Sequence, residues 1–170
     1  MKPTREGDDS CARPANRSGS PSAAFLLAQV GAHAASRFAG RLQDLKLSPP
    51  HAGILRILSA TPGITQQALA TALNMVPSRL VELLDDLEGH GLTERREDPD
   101  DRRRYALHLT DKGRAMLEDV GKVSREHQRA LLAALNEEEQ RQLAGLLQRI
   151  ADEQGLTRGV HPGYSRLGKR

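Results

Sequence analysis

Among 170 residues there are one cysteine, no tryptophan, two tyrosines and two phenylalanines. A lone thiol closes neither an internal disulfide nor a cysteine-based metal cluster, which excludes a stapled secreted scaffold and a zinc ribbon. That thiol, Cys11, lies in a polar stretch with nothing to depress its pKa, so it reads as an incidental tail residue ahead of a redox sensor. With so few aromatic rings the core has to be aliphatic, built from Leu, Ala, Ile and Val. Long apolar runs are missing too: nothing approaches a membrane span, the N-terminus has no apolar signal core, and a soluble cytoplasmic protein is expected. Neither sign of charge is in excess, since 25 Lys and Arg against 22 Asp and Glu leave a formal charge of +3. Any basic character must therefore lie in placement. The histidines, His33, His51, His90, His108, His127 and His161, show no HExxH or other ligand spacing. There is no glycine-rich phosphate loop and no Ser/His/Asp arrangement with local motif support, so neither an enzyme nor a bound metal or cofactor is expected.

The most informative stretch runs from Leu92 to Gly113. Asp98, Pro99, Asp100 and Asp101 are turn formers, Pro99 by its fixed φ and the aspartates by capping their own main chain. After them Tyr105, Leu107 and Leu109 alternate with Ala106, His108 and Thr110 at the period of a half-buried strand, and Leu92 to Glu97 is short enough to be its partner. The expected product is a two-stranded hairpin, with Arg95 and Arg96 on one arm and Arg102, Arg103 and Arg104 at the tip and on the other. Glu94, Glu97, Asp98, Asp100 and Asp101 balance these arginines, so the stretch is neutral by count. The acids crowd the turn and its base, however, while Arg102 to Arg104 run consecutively outward. Planar, permanent cations on a projecting hairpin suit a polyanion such as nucleic acid.

Around this stretch the chain is helical. Residues 1–20 have almost nothing to bury and read as a disordered N-terminal tail. Leu26, Leu27, Val30, Ala34, Phe38, Leu42 and Leu45 then recur at three and four residues, which predicts an amphipathic helix over 21–46. Ser48 caps a second helix opened by Pro49, with Ile54, Leu55 and Leu58 inside, and Thr61-Pro62-Gly63 stops it. Thr65 caps a short third helix from Gln66 to Leu73. The fourth, from Pro77 to about His90, carries the stripe Val76, Leu80, Leu83, Leu84 and Leu87 and ends at Gly91. Two short helices joined by a tight turn, the second ending at a basic hairpin, have the layout of a winged helix-turn-helix. Thr110 caps a long fifth helix with His127 among its inner positions. Asn136 to Glu139 form a capping box for a sixth, with Leu143, Leu146, Leu147 and Ile150 inside. The fold class is thus mainly α with a small β-hairpin. A single winged-helix domain over 21–154 sets a DNA-binding module (48–109) between long dimerisation helices (21–46 and 110–154), and 155–170 follow as a flexible C-terminal tail. The long helices carry more apolar stripe than a monomer covers, so a homodimer is expected.

Asp101-Arg102-Arg103 followed by Leu109-Thr110-Asp111-Lys112-Gly113 resembles the wing signature of the MarR family of bacterial transcription regulators, and Leu73 to Leu92 resembles its recognition helix. Helix order on either side is similar as well, so the resemblance covers about Phe25 to Glu153. It implies a homodimeric repressor of a pseudo-palindromic operator in double-stranded DNA. It also implies a small phenolic or lipophilic effector, held where the dimer helices meet the reading module. Arg103 would enter the minor groove, with Asp101 orienting it. Two departures stand out. Val76 occupies a place where relatives often have a capping Ser. Glu82, Asp85, Asp86 and Glu88 stand where relatives often carry Arg or Lys, leaving Arg79 as that helix's own basic residue.

The candidate contacts follow from these two readings. Pro77, Ser78 and Arg79 form an exposed first turn, where N–H groups and the helix dipole favour a phosphate or base edge, and Arg79 is able to grip guanine with two hydrogen bonds. The wing supplies Arg95, Arg96, Arg102, Arg103 and Arg104. His33, with Arg37 one turn on, and His51 at the head of the second helix lie where the family's ligand cleft would be, and would pair with an anionic or phenolic effector. The competing reading is a winged-helix protein-interaction module that uses the acidic recognition helix as its contact face and reads no specific DNA.

Overall fold

The computed structural model describes residues 21–97 and 105–165. Ser22 accepts a hydrogen bond from the Phe25 N–H and opens α1 (Ala23–Gln43). This helix stops short of the expected Lys46, because Lys46 adopts a left-handed φ of 57° and the reversal drops Leu45 and Leu47 onto the core beside Leu42. Pro49 starts α2 (Pro49–Ala60), which is buried along Ile54, Leu55 and Leu58. The Thr65 side chain caps α3 (Gln66–Ala72), and a turn through Asn74 at φ 49° leads into α4 (Pro77–Gly89). Leu80, Leu83, Leu84 and Leu87 bury the α4 stripe as expected. Val76, placed in the same stripe from the sequence, is instead 60% exposed, because it precedes the first helical turn and has no inner face to join.

Where a two-stranded hairpin was expected, the sheet has three strands in the antiparallel order β1 (Ile64–Thr65), β3 (Tyr105–Leu109), β2 (Thr93–Glu97). Ile64 pairs with Leu107, and β2 pairs with β3 from Thr93 opposite Leu109 to Glu97 opposite Tyr105. The alternation read from the sequence holds at the base, where Leu107 and Leu109 are buried, and opens toward the tip, where Tyr105 is exposed.

Two long helices complete the frame. Thr110 caps α5 (Asp111–Leu131), which seats Val120 in the core with Met116, Leu117 and Val123 half-buried beside it. Asn136 and Glu139 form the capping box that opens α6 (Glu137–Glu153), yet α6 buries none of its residues. Leu146, Leu147 and Ile150 on α6 face outward, as do Phe25, Leu26, Leu27 and Val30 at the start of α1. The chain after α6, expected from the sequence to be a tail, is described up to residue 165. It turns at Gly155 (φ 64°), returns to the reading module, and ends in a 3-10 turn (Pro162–Ser165) with Tyr164 half-buried against the core. No helix among the described residues is long and apolar enough to cross a membrane.

Candidate nucleic-acid interface

The first turn of α4 is built without a side-chain cap. Val76 occupies the capping position and makes no side-chain bond, so the turn depends on the fixed φ of Pro77. Val76, Pro77 and Ser78 are exposed and Arg79 is half-buried. The Arg79 guanidinium does not extend freely: its Nη1 donates to Glu82 Oε2 at 2.6 Å, one turn along the same helix.

The other acids of α4 are matched as well. Arg95 of β2 donates to Asp85 Oδ1 and to Glu88 Oε2, each at 2.8 Å, which ties the wing to the recognition helix at mid-strand. Asp86 lies 3.3 Å from His51 Nε2 and 3.5 Å from His90 Nδ1. Each acid of the helix that looked like an acidic contact face thus has a partner within its own module, two arginines and two histidines against four carboxylates. That pairing was invisible in the sequence, because it joins a helix to a strand and to another helix. Arg96, on the other face of β2, pairs with Glu94 and stays exposed. Asp101, Arg102, Arg103 and Arg104 lie outside the described residues, as does Cys11.

Between α4 and the wing runs an open groove of about 720 Å³, bounded by Thr65, Gln66 and Gln67 at the start of α3, Val81 and Asp85 on α4, and Arg95 and Tyr105 on the strands. The wing's root is pinned by α5. Thr110 donates its hydroxyl to the Gly91 carbonyl at 2.7 Å and its N–H to Leu92 O at 3.2 Å, while Lys112 Nζ donates to His90 O at 2.7 Å. Gly113 comes so close to Leu92 that a Cβ there would overlap the backbone carbonyl. The Thr-Asp-Lys-Gly end of the wing motif is thus a joint between frame and module.

The three residues expected at an effector cleft separate. His33 and Arg37 line a cleft of about 470 Å³ between α1 and α5, together with Gln29, Val30, Arg41, His127, Ala130 and Leu131. His51 is elsewhere, which corrects its grouping with them. It sits buried at the third position of α2, its Nδ1 accepts the Ser48 N–H at 3.1 Å, and its imidazole fills the space between α2 and α4. Since Nδ1 is an acceptor, the neutral ring carries its proton on Nε2, toward Asp86. Burial pushes the His51 pKa down against the pull of Asp86. Arg41 and His127 were not singled out as cleft residues from the sequence, although His33, Arg37 and Arg41 fall on one stripe at four-residue spacing. The His127 ring packs on Phe38 with centroids 5.4 Å apart, and its pKa is lowered by burial and then by Arg41, Arg37 and His33. The cleft is positive and part apolar.

A sequence model of the MarR family matches residues 47–105, the whole of the helix-turn-helix and most of the wing. A solved structure of the transcriptional repressor CouR bound to a 23-mer DNA duplex is 33% identical, covers 76% of this chain and 92% of its own, and superposes with a TM-score of 0.68. The chain belongs to the MarR family. A regulatory protein for an hcr operon in Thauera aromatica is 35% identical over 104 residues, which are 61% of this chain and 63% of that protein, so the chain spans somewhat under two thirds of its length. A Mycobacterium tuberculosis MarR family protein in complex with salicylic acid is 28% identical over 77% of this chain and 97% of its own, with a TM-score of 0.63. This MarR-type chain is accordingly a DNA-binding transcriptional regulator and has a winged-helix fold. In that fold α4 and the β2–β3 hairpin occupy the places expected for the recognition helix and the wing.

Proposed function

We propose that the protein is a ligand-responsive homodimeric repressor that grips a pseudo-palindromic operator with two identical readers. In each subunit Pro77, Ser78 and Arg79 enter the major groove, and Arg102, Arg103 and Arg104 of the wing reach the adjacent minor groove with Asp101 orienting Arg103. The observation that carries this reading is the open groove between α4 and the wing. A helix in one groove and a hairpin in the next must straddle the sugar-phosphate ridge between them. The side chains around that hollow (Thr65, Gln66, Gln67, Tyr105) are hydrogen-bond donors, and its carboxylate, Asp85, is already paired with Arg95. Arg96, exposed on the other face of the same strand beside Glu94, is the cation at the edge, whereas Arg95 serves as the brace of the wing.

The second copy is called for by the outward apolar faces of α1 and α6. Burying the exposed half of Phe25, Leu26, Leu27, Val30, Leu146, Leu147 and Ile150 contributes roughly 5–10 kcal/mol per subunit. A symmetric pair gains that twice, against an association cost of about 4–15 kcal/mol. The effector is an aromatic acid in the α1–α5 cleft, its carboxylate against Arg37, Arg41 and His33 and its ring against Val30 and Leu131. The salicylic acid complex of a relative supports that chemistry. Binding there changes how α1 and α5 pack, and so the separation of the two readers relative to half-sites about one helical turn apart.

The test is DNA selected from a random pool by the purified protein, followed by anisotropy titrations against the selected site. Arg103→Ala should weaken every sequence about equally, by about 1–3 kcal/mol, and lower the salt slope by about one. Salicylate should release the DNA from wild type and fail to do so in Arg37→Ala. Failure to select any sequence at low salt would overturn the reading.

A further inference from the structure

The segment after α6 makes contacts that neither a frayed end nor a DNA contact requires. It crosses from the dimer arm to the outer face of α2 and is held there by two glycines. Gly53 of α2 is buried, and a Cβ on it would stand 2.8 Å from Cε2 of the Tyr164 ring and 3.3 Å from Cζ; no other side chain or backbone group comes nearer than 3.4 Å. The missing methyl is therefore the seat of that ring. On the other side, Gly159 of the segment takes φ 70°, and a Cβ there would stand 2.8 Å from the guanidinium of Arg56, which donates to the Gly159 carbonyl. Arg56 lies one turn from Gly53 on the same face of α2, so each partner clears space for the other's side chain. The His161 ring packs on Tyr164 with centroids 5.7 Å apart, and its Nδ1 accepts the Gly163 N–H at 3.0 Å, which stiffens the turn that presents Tyr164. Leu156 and Val160 line a small cavity of about 90 Å³ together with Leu73 and Asn74, just past the end of α3.

We infer that residues 156–165 are a strap fixing the angle between the dimer arm and the reading module, with Tyr164 as its positioning residue. The physical reason lies at both ends. One end continues α6, which buries nothing in its own subunit and so moves with the dimer frame; the other is seated on α2 and α3, which move with the reader. A link across that joint removes the softest degree of freedom in the spacing of two readers. The inference rests on the dimeric two-reader function proposed above.

The experiment uses the full-length chain and the operator that it selects from random DNA, together with versions of that operator lengthened or shortened by one base pair between half-sites. Affinities are read by anisotropy well below the melting temperature, and the dimer is confirmed by sedimentation. Wild type should bind the altered spacings about tenfold more weakly than the selected one, and Tyr164→Ala should reduce that penalty to about threefold or less. Tyr164→Phe should retain the full penalty, since the ring and not the hydroxyl fills the seat. Gly53→Ala should relax the penalty as Tyr164→Ala does, and the double variant should relax it no further, because both remove one contact. Simple loss of stability would lower the active fraction equally on all operators and leave their ratio unmoved. If wild type discriminates spacing and Tyr164→Ala discriminates equally, the strap is overturned while the dimeric reader stands. If wild type is a monomer or ignores spacing, the reading beneath the strap falls with it.

Discussion

A single methyl group at Gly113 tests the joint between wing and frame. The first turn of α5 crosses the Leu92 carbonyl so closely that an alanine Cβ would overlap its oxygen and lie 2.9 Å from its carbon. Both groups are backbone, so no side chain can swing aside, and α5 has to lift from the root of the wing. Overpacking of this kind costs about 1–3 kcal/mol. Lifting the helix also weakens the Thr110 N–H bond to Leu92 O, a loss of about 0.5–1.5 kcal/mol. Against this, alanine favours a helix interior over glycine by about 0.5–1 kcal/mol. Gly113→Ala should therefore destabilise by roughly 0.5–4 kcal/mol. In a domain of this size the middle of that range lowers the melting temperature by roughly 5–9 °C. The measurement is a thermal melt by circular dichroism at one fixed protein concentration, because the proposed dimerisation would make the midpoint concentration-dependent. Gly89→Ala is the matched control: it too is helical, but its added methyl meets open space, and it should melt at or slightly above the wild-type temperature. If Gly113→Ala melted with Gly89→Ala, α5 would not rest on Leu92, and the account of how the frame positions the wing would be wrong.

Three other outcomes separate structural from DNA-facing roles. Arg95→Ala strands the half-buried Glu88 carboxylate and should cost about 1–2 kcal/mol of stability while leaving the salt slope of DNA binding unchanged, as read by denaturant melts and titrations at several salt concentrations. Acid should destabilise the protein through His51. Its folded pKa lies below the ordinary 6.5, so the stability it contributes is full above that value and drains as the pH falls beneath it; His51→Gln, which keeps the acceptor for the Ser48 N–H, should flatten that part of the pH–stability curve. In the α1–α5 cleft the His127 pKa is depressed by burial and by Arg41, Arg37 and His33, and a bound carboxylate opposes that depression. Salicylate should therefore bind more tightly as the pH drops below 6.5 and raise the His127 titration midpoint in an NMR pH series, an effect lost in His127→Phe.

What the sequence disclosed was what neighbouring residues decide among themselves. The leucine stripe of α4, the alternation of Leu107 and Leu109, the Thr65 and Thr110 caps and the Asn136 to Glu139 box are each local, and each reappears in the structure. β1 escaped notice because two residues carry no period; Ile64 and Thr65 become a strand only by finding Leu107 and Ala106 far along the chain. The strap was hidden for the same reason: Gly-, Arg- and His-bearing sequence looks like solvated tail until Gly53 and Arg56 are seen to receive it. At the site, His33 and Arg37 were placed together by helical spacing. His51 was misgrouped because its position at the head of a helix said nothing about which way the ring turns. Counting charges on α4 gave four acids and one arginine, and missed that Arg95 and His51 arrive from other elements to face them, beside His90 at the helix's own end.

That pairing explains how a chain with a net charge of only +3 serves as a DNA reader, and why its geometry has to be guarded. Each cation spent on an α4 acid is one fewer for phosphate, so a single reader forms few ion pairs with the duplex and holds it weakly. In the dimer proposed above, two readers on one frame would make the second contact intramolecular, and the affinities would multiply only while their separation fits the half-sites. Selectivity then depends on the joint between frame and module more than on any one arginine. Gly113 under the root of the wing and the proposed Tyr164 strap from α6 to α2 lie at that joint, and the positive α1–α5 cleft lies in the frame beside it. On the proposed function, release would be most economical by bending that joint, because a small change of angle would displace both readers at once while every contact within each reader stayed intact.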